Sequence, residues 1–348
     1  VGGVVDAFEA EGLRVFGPNK AAAILEGSKA FSKDLMKKYN IPTAAYENFD
    51  DPEKALEYLK TAKMPIVLKA DGLALGKGVL ICNTLEEAEA GVKEIMMDKK
   101  FGSAGNHMVI EEFMTGPEVT VLAFTDGKTV KPMISSMDHK RAYDNDEGLN
   151  TGGMGTIAPN PLYTPDKQQE CMEKIFLPTI KAMAAEGRPF KGCLYFGLML
   201  TPNGAKVIEY NCRFGDPETQ VVLPLLKSDL LTVMQATTKG TLADTPVEFY
   251  DDSACCVVLA SHGYPVKYEK GFEITIGERA LKTTYVAGAK LKDGKLYTDG
   301  GRVLGVTATG KNLKEAVKKA YELCDEVEFE NKYYRHDIGG RALKALED

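Results

Sequence analysis

The stretch VIEYNCRFGDPETQ, residues 207–220, carries the strongest chemical signal in the sequence. Glu209 and Asn211 are two positions apart, so on a β-strand both side chains point to one face. Two such oxygen ligands suit Mg²⁺, which takes few protein ligands and completes its shell with phosphate oxygens and water. Arg213 has the same parity if the strand continues. Because carboxylates are rarely buried on strands without a role, we expect a metal and phosphate site here; an ion-paired edge strand is the alternative.

A lysine and a glycine-rich loop lie upstream of this stretch. Lys69 ends the apolar strand PIVLKA (65–70), where a lysine either extends to solvent or meets a buried anion. The loop DGLALGKGV (71–79) can bring backbone N–H groups and a lysine charge close to a phosphate. Its glycine spacing differs from that of a P-loop, so an ordinary glycine-rich hairpin is an equal alternative. Lys29 lies further upstream, at the start of a predicted helix.

Two other segments are rich in groups that bind ligands. IEEFMTGPE (110–118) places three glutamates around a strand end, where alternation points Glu111 and Glu112 to opposite faces. Carboxylates of this kind, Glu118 included, can bind a ribose hydroxyl or simply form a solvated strand end. Residues 138–160 contain many charges and glycines but almost no apolar periodicity, which favours a ligand-binding loop.

The remaining pattern is that of a mixed chain of helices and strands. Apolar periodicity and capping signals predict helices over 28–39, 52–63, 84–99, 165–186, 225–239 and 312–325, and hairpins over 119–133 and 193–211. A short strand is predicted at LRVFGP (13–18). Short strands with glycine turns dominate from Pro246 onward, so we place a domain boundary near 240–246.

Composition excludes several classes of function. The chain has 348 residues, with 43 Lys and Arg against 50 Asp and Glu, and its net charge of −7 argues against nucleic-acid binding. No apolar run approaches the ~18 residues of a membrane-spanning helix. The seven cysteines form no CxxC pair, and the four histidines show no zinc-ligand spacing. We therefore expect reduced, buried thiols in a cytosolic protein, with no obligate protein partner indicated.

The order of these features along the chain resembles the ATP-grasp superfamily. It runs from a lysine at a helix start through a strand lysine, a glycine-rich loop and a glutamate-bearing strand to paired oxygen ligands on a late hairpin. Within that superfamily, the chain more closely resembles the glycinamide ribonucleotide synthetase (phosphoribosylamine–glycine ligase) family. The similarity extends from Gly17 to Leu343, and its most specific segments are DHKR (138–141), NTGGMG (150–155) and EYNCRFGDPETQ (209–220).

The resemblance implies a role for each candidate residue. Lys29 and Lys69 look like the pair that contacts ATP phosphates, and Glu209 and Asn211 match the ligands of Mg²⁺ or Mn²⁺. Arg213 and Lys69 are implied in catalysis, with Arg213 stabilising charge on the transferring phosphoryl group. The other implied ATP-binding residues are Gly72, Gly76, Lys77, Gly78, Glu111, Glu112, Phe113 and Glu118. The implied substrate-binding residues are Asp138, His139, Lys140, Arg141, Asn150, Thr151, Gly152, Gly153, Arg213, Gly215, Asp216 and Glu218.

The implied fold is of the α/β (α+β) class. It is an ATP-grasp fold with a mobile lid subdomain over about 40–112 and a small mixed C-terminal domain. Residues 1–24 would be the remnant of an N-terminal α/β domain whose first strands precede Val1. Residues 25–245 would form the ATP-grasp domain and 246–348 the C-terminal domain.

The implied reaction joins glycine to 5-phosphoribosylamine with ATP. It passes through glycyl phosphate and yields glycinamide ribonucleotide, ADP and phosphate, in cytoplasmic purine biosynthesis. Positioning and charge neutralisation carry such chemistry, so lysines, an arginine and a metal ion suffice without a Ser or Cys nucleophile. The alternatives are another ATP-grasp carboxylate–amine ligase and a nucleotide-binding fragment without full activity. DHKR, NTGGMG and RFGDPETQ favour the glycine enzyme.

Overall fold

The computed structural model describes residues 1–72 and 78–347. Within these ranges, helices α1 to α12 are Val4–Ala10, Ile24–Gly27, Lys29–Lys38, Pro52–Leu59, Leu85–Val92, Pro165–Cys171, Leu177–Ala185, Thr219–Val222, Leu230–Lys239, Glu278–Leu281, Leu313–Cys324 and Gly340–Ala345. Strands β1 to β20 are Tyr46–Phe49, Ile66–Ala70, Val79–Cys82, Met108–Glu112, Glu118–Asp126, Val130–Pro132, Met137–Asp138, Arg141–Tyr143, Glu147–Asn150, Gly155–Ala158, Lys191–Thr201, Gly204–Asn211, Ser253–Ser261, Glu273–Ile276, Thr284–Val286, Ala289–Lys292, Lys295–Thr298, Arg302–Gly310, Val327–Glu328 and Lys332–Tyr333. Helices α5 and α6 continue into π-helical turns at Lys93–Met97 and Met172–Phe176.

A small antiparallel sheet, in the order β1-β4-β2-β3, occupies most of the predicted lid range. Its strand β2 is buried along its whole length. Helices α4 and α5 cover the sheet and give it an apolar core of its own, which includes Leu59, Leu68 and Val92. The predicted capping signal is confirmed, because the Thr84 hydroxyl accepts from the backbone N–H of Glu87. The small sheet and its two helices therefore have an apolar core separate from the cores of the other sheets.

The second sheet, in the order β12-β11-β5-β6, is also antiparallel and forms the centre of the molecule. Both predicted hairpins, over 119–133 and 193–211, are confirmed. Helices α6 and α7 pack against it through a core that includes Phe176, Phe196 and Tyr210. Helix α3 begins where predicted, since Ser28 caps it by accepting from the Phe31 N–H at 3.0 Å.

The third sheet joins segments that are distant in sequence. Its order is β15-β18-β13-β10-β7, with β20 paired to β13, so two strands from residues 137–158 lie beside strands that follow the predicted boundary at 240–246. The segment 138–160, predicted as a ligand-binding loop, contains the short strands β8, β9 and β10, so its prediction as a loop throughout is wrong. Strand β10 escapes detection because its four residues, GTIA, are all buried, and a strand covered on both faces shows no alternation. A fourth sheet, β16-β17-β14-β19, completes the C-terminal part.

The strand predicted at LRVFGP (13–18) is also wrong. No strand in the described ranges pairs with this segment. Phe16 instead packs against Phe124 and Phe214, with ring centroids 6.3 and 6.1 Å away, so the apolar pattern reflects burial without sheet pairing. The seven cysteines are free, and six of them are buried, as expected. Among the described residues, no helix is long and apolar enough to cross a membrane.

Candidate active site

Lys69 meets a buried anion within the protein. Its Nζ lies 2.9 Å from Glu111 Oε1 and 3.3 Å from the carbonyl oxygen of Ile208. Lys33 Nζ lies 3.1 Å from the other oxygen of Glu111, and none of the three charged side chains is more than 6% exposed. Burial lowers the pKa of Lys33 to about 8, against the opposing charge of Glu111. The Glu111 carboxylate is thus engaged by two lysines and is not free for a ribose hydroxyl.

The start of helix α3 holds the start of the glycine-rich loop. Lys29 Nζ donates to the carbonyl oxygens of Ala70 and Gly72, at 3.0 and 2.8 Å. Asp71 accepts from the Ser28 hydroxyl at 3.1 Å. Burial lowers the pKa of Lys29, and the charge of Glu209 opposes that shift. Lys29 and Lys69 therefore flank one end of this loop.

Two of the loop residues predicted to bind ATP, Gly76 and Lys77, lie outside the described residues. Gly78 lies just beyond the gap, and its carbonyl oxygen accepts from the backbone N–H of Ala70 at 2.8 Å. Gly72, at the other side of the gap, has a φ of +96°, which favours glycine. The Gly78 end of the loop is thus held by a backbone contact to strand β2, and the Gly72 end by the side chain of Lys29.

The side chains of Glu209 and Asn211 lie together on one face of β12, as predicted. Asn211 Nδ2 is 3.5 Å from Glu209 Oε1. Burial alone would raise the pKa of Glu209, but the charges of Lys140, Lys69 and Lys29 outweigh it and the pKa is lowered. An ionised carboxylate beside an amide oxygen fits a divalent cation. Because the described residues hold no cluster of three or more His, Cys, Asp or Glu suited to a metal, such an ion would need outside ligands such as phosphate oxygens.

The chain after β12 is held by a glutamate that sequence reasoning missed. Glu26 Oε2 accepts from the backbone N–H of Cys212 at 2.7 Å, and its Oε1 lies 3.6 Å from Arg213 Nε. The Arg213 side chain is 56% exposed, so it is free to meet a ligand. Glu26 lies in α2, next to the cap of α3, and thereby ties the Lys29 helix to the end of β12.

Three of the predicted ATP-binding residues, Glu112, Phe113 and Glu118, lie at the junction of the first two sheets. Glu112 points away from Glu111, as alternation predicts, and accepts from Ala45 N at 3.0 Å and Lys206 Nζ at 2.9 Å. Phe113 follows β4 and is 38% exposed. Glu118 opens β5, and its Oε2 lies 3.5 Å from Lys140 Nζ. The Glu118 charge is the main cause of a raised pKa for Lys140, to which Glu209 and Asp138 add.

Asp138 and Glu218, both in the predicted substrate set, approach each other from the end of β7 and the start of α8. Asp138 Oδ1 accepts from the backbone N–H of His139 at 2.8 Å. Glu218 Oε1 lies 3.4 Å from Thr120 Oγ1, which is 3.0 Å from the Tyr195 hydroxyl. Burial, followed by the charge of Glu218, raises the pKa of Asp138 well above its usual range. Sequence reasoning missed Thr120 and Tyr195, which occupy apolar strands.

An arginine of the third sheet connects the two glycine-containing substrate loops. Arg302 donates to the carbonyl oxygens of Gly152 and Asp216, at 2.8 and 3.0 Å, and to Asp216 Oδ2 at 2.9 Å. The Gly152 N–H donates to the Tyr264 hydroxyl at 3.0 Å. Thr151 accepts from the N–H of Gly153 and so fixes the turn between them. Asp216 is therefore committed to an internal ion pair.

Three residues of the predicted substrate set have internal partners. The buried ring of His139 bridges Gly155 O and Gly339 N, each at 3.1 Å. Burial, with Arg341 and Arg335 nearby, lowers the His139 pKa to about 4. Arg141 and Asn150 face each other in the β8-β9 hairpin, and Arg141 donates to the carbonyl oxygen of Gly148. The structure thus gathers the lysines and carboxylates into one region but turns His139 toward α12.

Comparison with known families agrees with this arrangement. Residues 27–219 match the family model of the phosphoribosylglycinamide synthetase ATP-grasp (A) domain, and residues 254–341 match that of its C domain. The phosphoribosylamine–glycine ligase of Pasteurella multocida (strain Pm70) is 51% identical over 344 residues, which cover 98% of this chain and 80% of that protein.

Solved structures show the same fold. The crystal structure of phosphoribosylamine–glycine ligase from Thermotoga maritima superposes with a TM-score of 0.87 at 42% identity, over 93% of this chain and 81% of that one. A biotin carboxylase from Campylobacter jejuni, in complex with β,γ-ATP, gives a TM-score of 0.74 at 15% identity, covering 99% and 75% of the two chains. The latter similarity extends to the fold alone.

Proposed function

Because the chain belongs to the phosphoribosylglycinamide synthetase family, we propose that it is an ATP-dependent ligase that joins glycine to 5-phosphoribosylamine. The products are glycinamide ribonucleotide, ADP and phosphate, as a step of purine biosynthesis. One arrangement supports the proposal most directly. Lys29, Lys69 and Lys140 surround Glu209, which lies beside Asn211 next to a glycine-rich loop.

In the proposed reaction, a carboxylate oxygen of glycine attacks the γ-phosphorus of ATP and forms glycyl phosphate. The amine of phosphoribosylamine then attacks the acyl carbon and expels phosphate. Phosphorylation is needed because the oxide of a free carboxylate is a poor leaving group. No side-chain nucleophile takes part, so the protein contributes orientation and fixed positive charge.

The charged residues divide this work by position. Lys29 and Lys69 lie beside the ends of the glycine-rich loop and neutralise phosphate charge. Arg213, with its exposed side chain, reaches the phosphoryl group in transfer. A divalent ion, proposed to be Mg²⁺ with Mn²⁺ as a substitute, would supply further positive charge to the phosphate oxygens from Glu209 and Asn211.

The small sheet over about 40–112 acts as a lid in this proposal. Glycyl phosphate is hydrolysed by water, so the site must close during the reaction. Glu118 and the backbone near Phe113, at the junction of the lid with the central sheet, take the ribose and adenine of ATP. The two loops at 150–153 and 215–218, with Asp138, Lys140 and Arg141, take the substrates. We place this metabolic enzyme in the cytoplasm.

The experiment is a phosphate-release assay with purified chain, ATP and magnesium. Release is expected only when both glycine and phosphoribosylamine are present, and the product should carry one glycyl group by mass spectrometry. Each substrate is omitted in turn as a control, and aminoimidazole ribonucleotide and bicarbonate are offered instead. Turnover with those substitutes, and none with glycine, would assign the chain to another reaction of the superfamily.

A further inference from the structure

Among the described residues, two neighbouring carboxyl groups of the site have no cationic side chain within ion-pair distance. Glu218 is 3% exposed, and its hydrogen bond in the described part of the chain comes from Thr120, at 3.4 Å. Asp138 is half-buried and accepts from the backbone N–H of His139. Lys140, whose charge acts on Asp138, is paired with Glu118. Because buried charges are normally paired, the missing partner should be a positively charged ligand, whose charge would oppose the rise that Glu218 causes in the pKa of Asp138.

Two glycines let the backbone approach these carboxyl oxygens closely. A Cβ at Gly215 would lie 2.5 Å from Glu218 Oε2, and a Cβ at Gly153 would lie 2.7 Å from Asp138 Oδ1. Any other residue at either position would press against the carboxylate. Both glycines belong to the loops that Arg302 ties together, through Gly152 and Asp216. The two carboxyl groups are therefore packed closely against the backbones of these two loops.

A buried hydroxyl without a partner gives independent support. Ser136 Oγ is fully buried and makes no hydrogen bond in the described part of the chain. Ser136 pairs with Thr120 across a β-bridge, so their side chains lie on the same face. Ser136 also shares parity with Asp138, two residues later. This face thus presents an unused acceptor beside the carboxyl groups.

We infer that Asp138 and Glu218, with the hydroxyls of Thr120 and Ser136, bind the ammonium group of the amino-acid substrate. The inference rests on the proposed function and deepens it by separating the two substrates. The amino group of glycine is protonated, and therefore positively charged, near neutral pH. The amine that attacks the acyl phosphate must be uncharged, so it gains less from two carboxylates.

The position of this subsite suits the short length of glycine. Lys140 interacts electrostatically with Asp138 of the ammonium subsite and with Glu209 of the predicted metal and phosphate site, so it is close to both. An amino acid whose ammonium meets Asp138 and Glu218 would direct its carboxylate toward Lys140 and the phosphates. The ammonium subsite thereby orients the nucleophilic oxygen.

The test compares Asp138→Asn and Glu218→Gln with the parent chain. Both substitutions keep side-chain shape and hydrogen bonding but remove one charge. The KM for glycine should rise roughly 10–100-fold, as for a lost charge-assisted hydrogen bond, whereas the KM values for ATP and phosphoribosylamine should stay within about twofold. Calorimetric titration of glycine, with magnesium and a non-hydrolysable ATP analogue present, should show the same loss of affinity.

Two exposed carboxylates provide matched controls, Asp229→Asn, which preserves a helix cap, and Glu248→Gln. Unchanged glycine affinity in both test variants would overturn the inference, as would a rise confined to the KM for phosphoribosylamine or an equal rise for all three substrates. If Glu218→Gln does not fold, the glycine affinity of Asp138→Asn alone tests the inference. Failure of the proposed function is distinct, because the parent chain would then release no phosphate in response to glycine.

Discussion

At the scale of single residues, Glu209 is the side chain whose charge matters most. Glu209→Gln keeps the shape of the side chain but removes the negative charge that faces three lysines. We expect it to raise the magnesium concentration needed for half-maximal turnover and to lower turnover roughly 10–100-fold, with a far smaller effect on the melting temperature. A magnesium titration of ATP turnover measures this. If the variant has the same rate and magnesium dependence as the parent, Glu209 and Asn211 do not bind the metal and are only polar residues on one face of the strand.

Lys69 gives the second test at this scale. Lys69→Ala should weaken ATP binding by ~1.5–3 kcal/mol, because one charge-assisted phosphate contact is lost. The protein should stay folded, since Lys33 still pairs with Glu111. The matched control is Lys206→Ala, which removes the lysine paired with the adjacent Glu112. Equal ATP affinity of parent and Lys69→Ala in calorimetry would remove Lys69 from the nucleotide site.

At the scale of elements, the contact between β7 and α12 should respond to acid. His139 has a pKa of about 4 in the folded chain and about 6.5 when unfolded, so between these values the unfolded chain binds the additional proton. The contribution of neutral His139 to the free energy of unfolding is complete above pH 6.5 and is lost as the pH falls toward 4. The free energy of unfolding should drop over this interval by up to about 3 kcal/mol more than in His139→Gln. Urea unfolding of both proteins at several pH values measures the difference, and parallel profiles would contradict it.

Arg302 links elements that are far apart in the sequence. Arg302→Ala should free the loops at Gly152 and Asp216, lowering turnover at least tenfold because substrate positioning is lost. ATP affinity should be unchanged, since neither loop belongs to the predicted nucleotide residues. Lys290→Ala, which removes an exposed ion pair with Asp299 in the same C-terminal part, is the control. Weakened ATP binding in Arg302→Ala alone would show that the arginine does more than hold the substrate loops.

At the scale of the whole molecule, sequence reasoning succeeded where the signal is local. The spacing of Glu209 and Asn211 and the caps of α3 and α5 depend on a few adjacent residues, and the structure has them as predicted. Lys33 could have been found, because it lies one helical turn after Lys29. Arg302 could not, since its partners Asp216 and Gly152 are 86 and 150 residues away.

The DHKR segment marks the limit of motif reasoning. Motif reasoning placed its four adjacent residues in one substrate set, although neighbouring side chains along an extended chain point to opposite faces. His139 therefore turns from Asp138 toward Gly339, a partner 200 residues later. Strands β7 and β10 escape local reasoning in the same way, because they join a sheet with β13, which no local pattern connects with them. The domain boundary near 240–246 stays a prediction.

A cut at that boundary provides the last prediction. Residues 1–245 alone would leave β10 without its partner β13 and expose an apolar strand edge. We expect this fragment to aggregate or to bind hydrophobic dyes, measured by light scattering and by fluorescence. Co-expression with residues 246–348 should restore a soluble complex. A monomeric, cooperatively unfolding 1–245 fragment would show that the shared sheet is dispensable.

The third sheet also determines the order in which parts of the chain can fold during synthesis. When β10 leaves the ribosome, its neighbour β13 is still about 100 residues away, a delay of roughly 5–20 s at ordinary translation rates. During that interval the central sheet can form, because β5, β11 and β12 are complete by residue 211. The loops that receive the substrates acquire their shape only after Arg302 has emerged. Nascent chains should therefore pass through a stage in which Lys29, Lys69 and Lys140 already lie around Glu209, whereas the substrate loops have not yet taken their final shape.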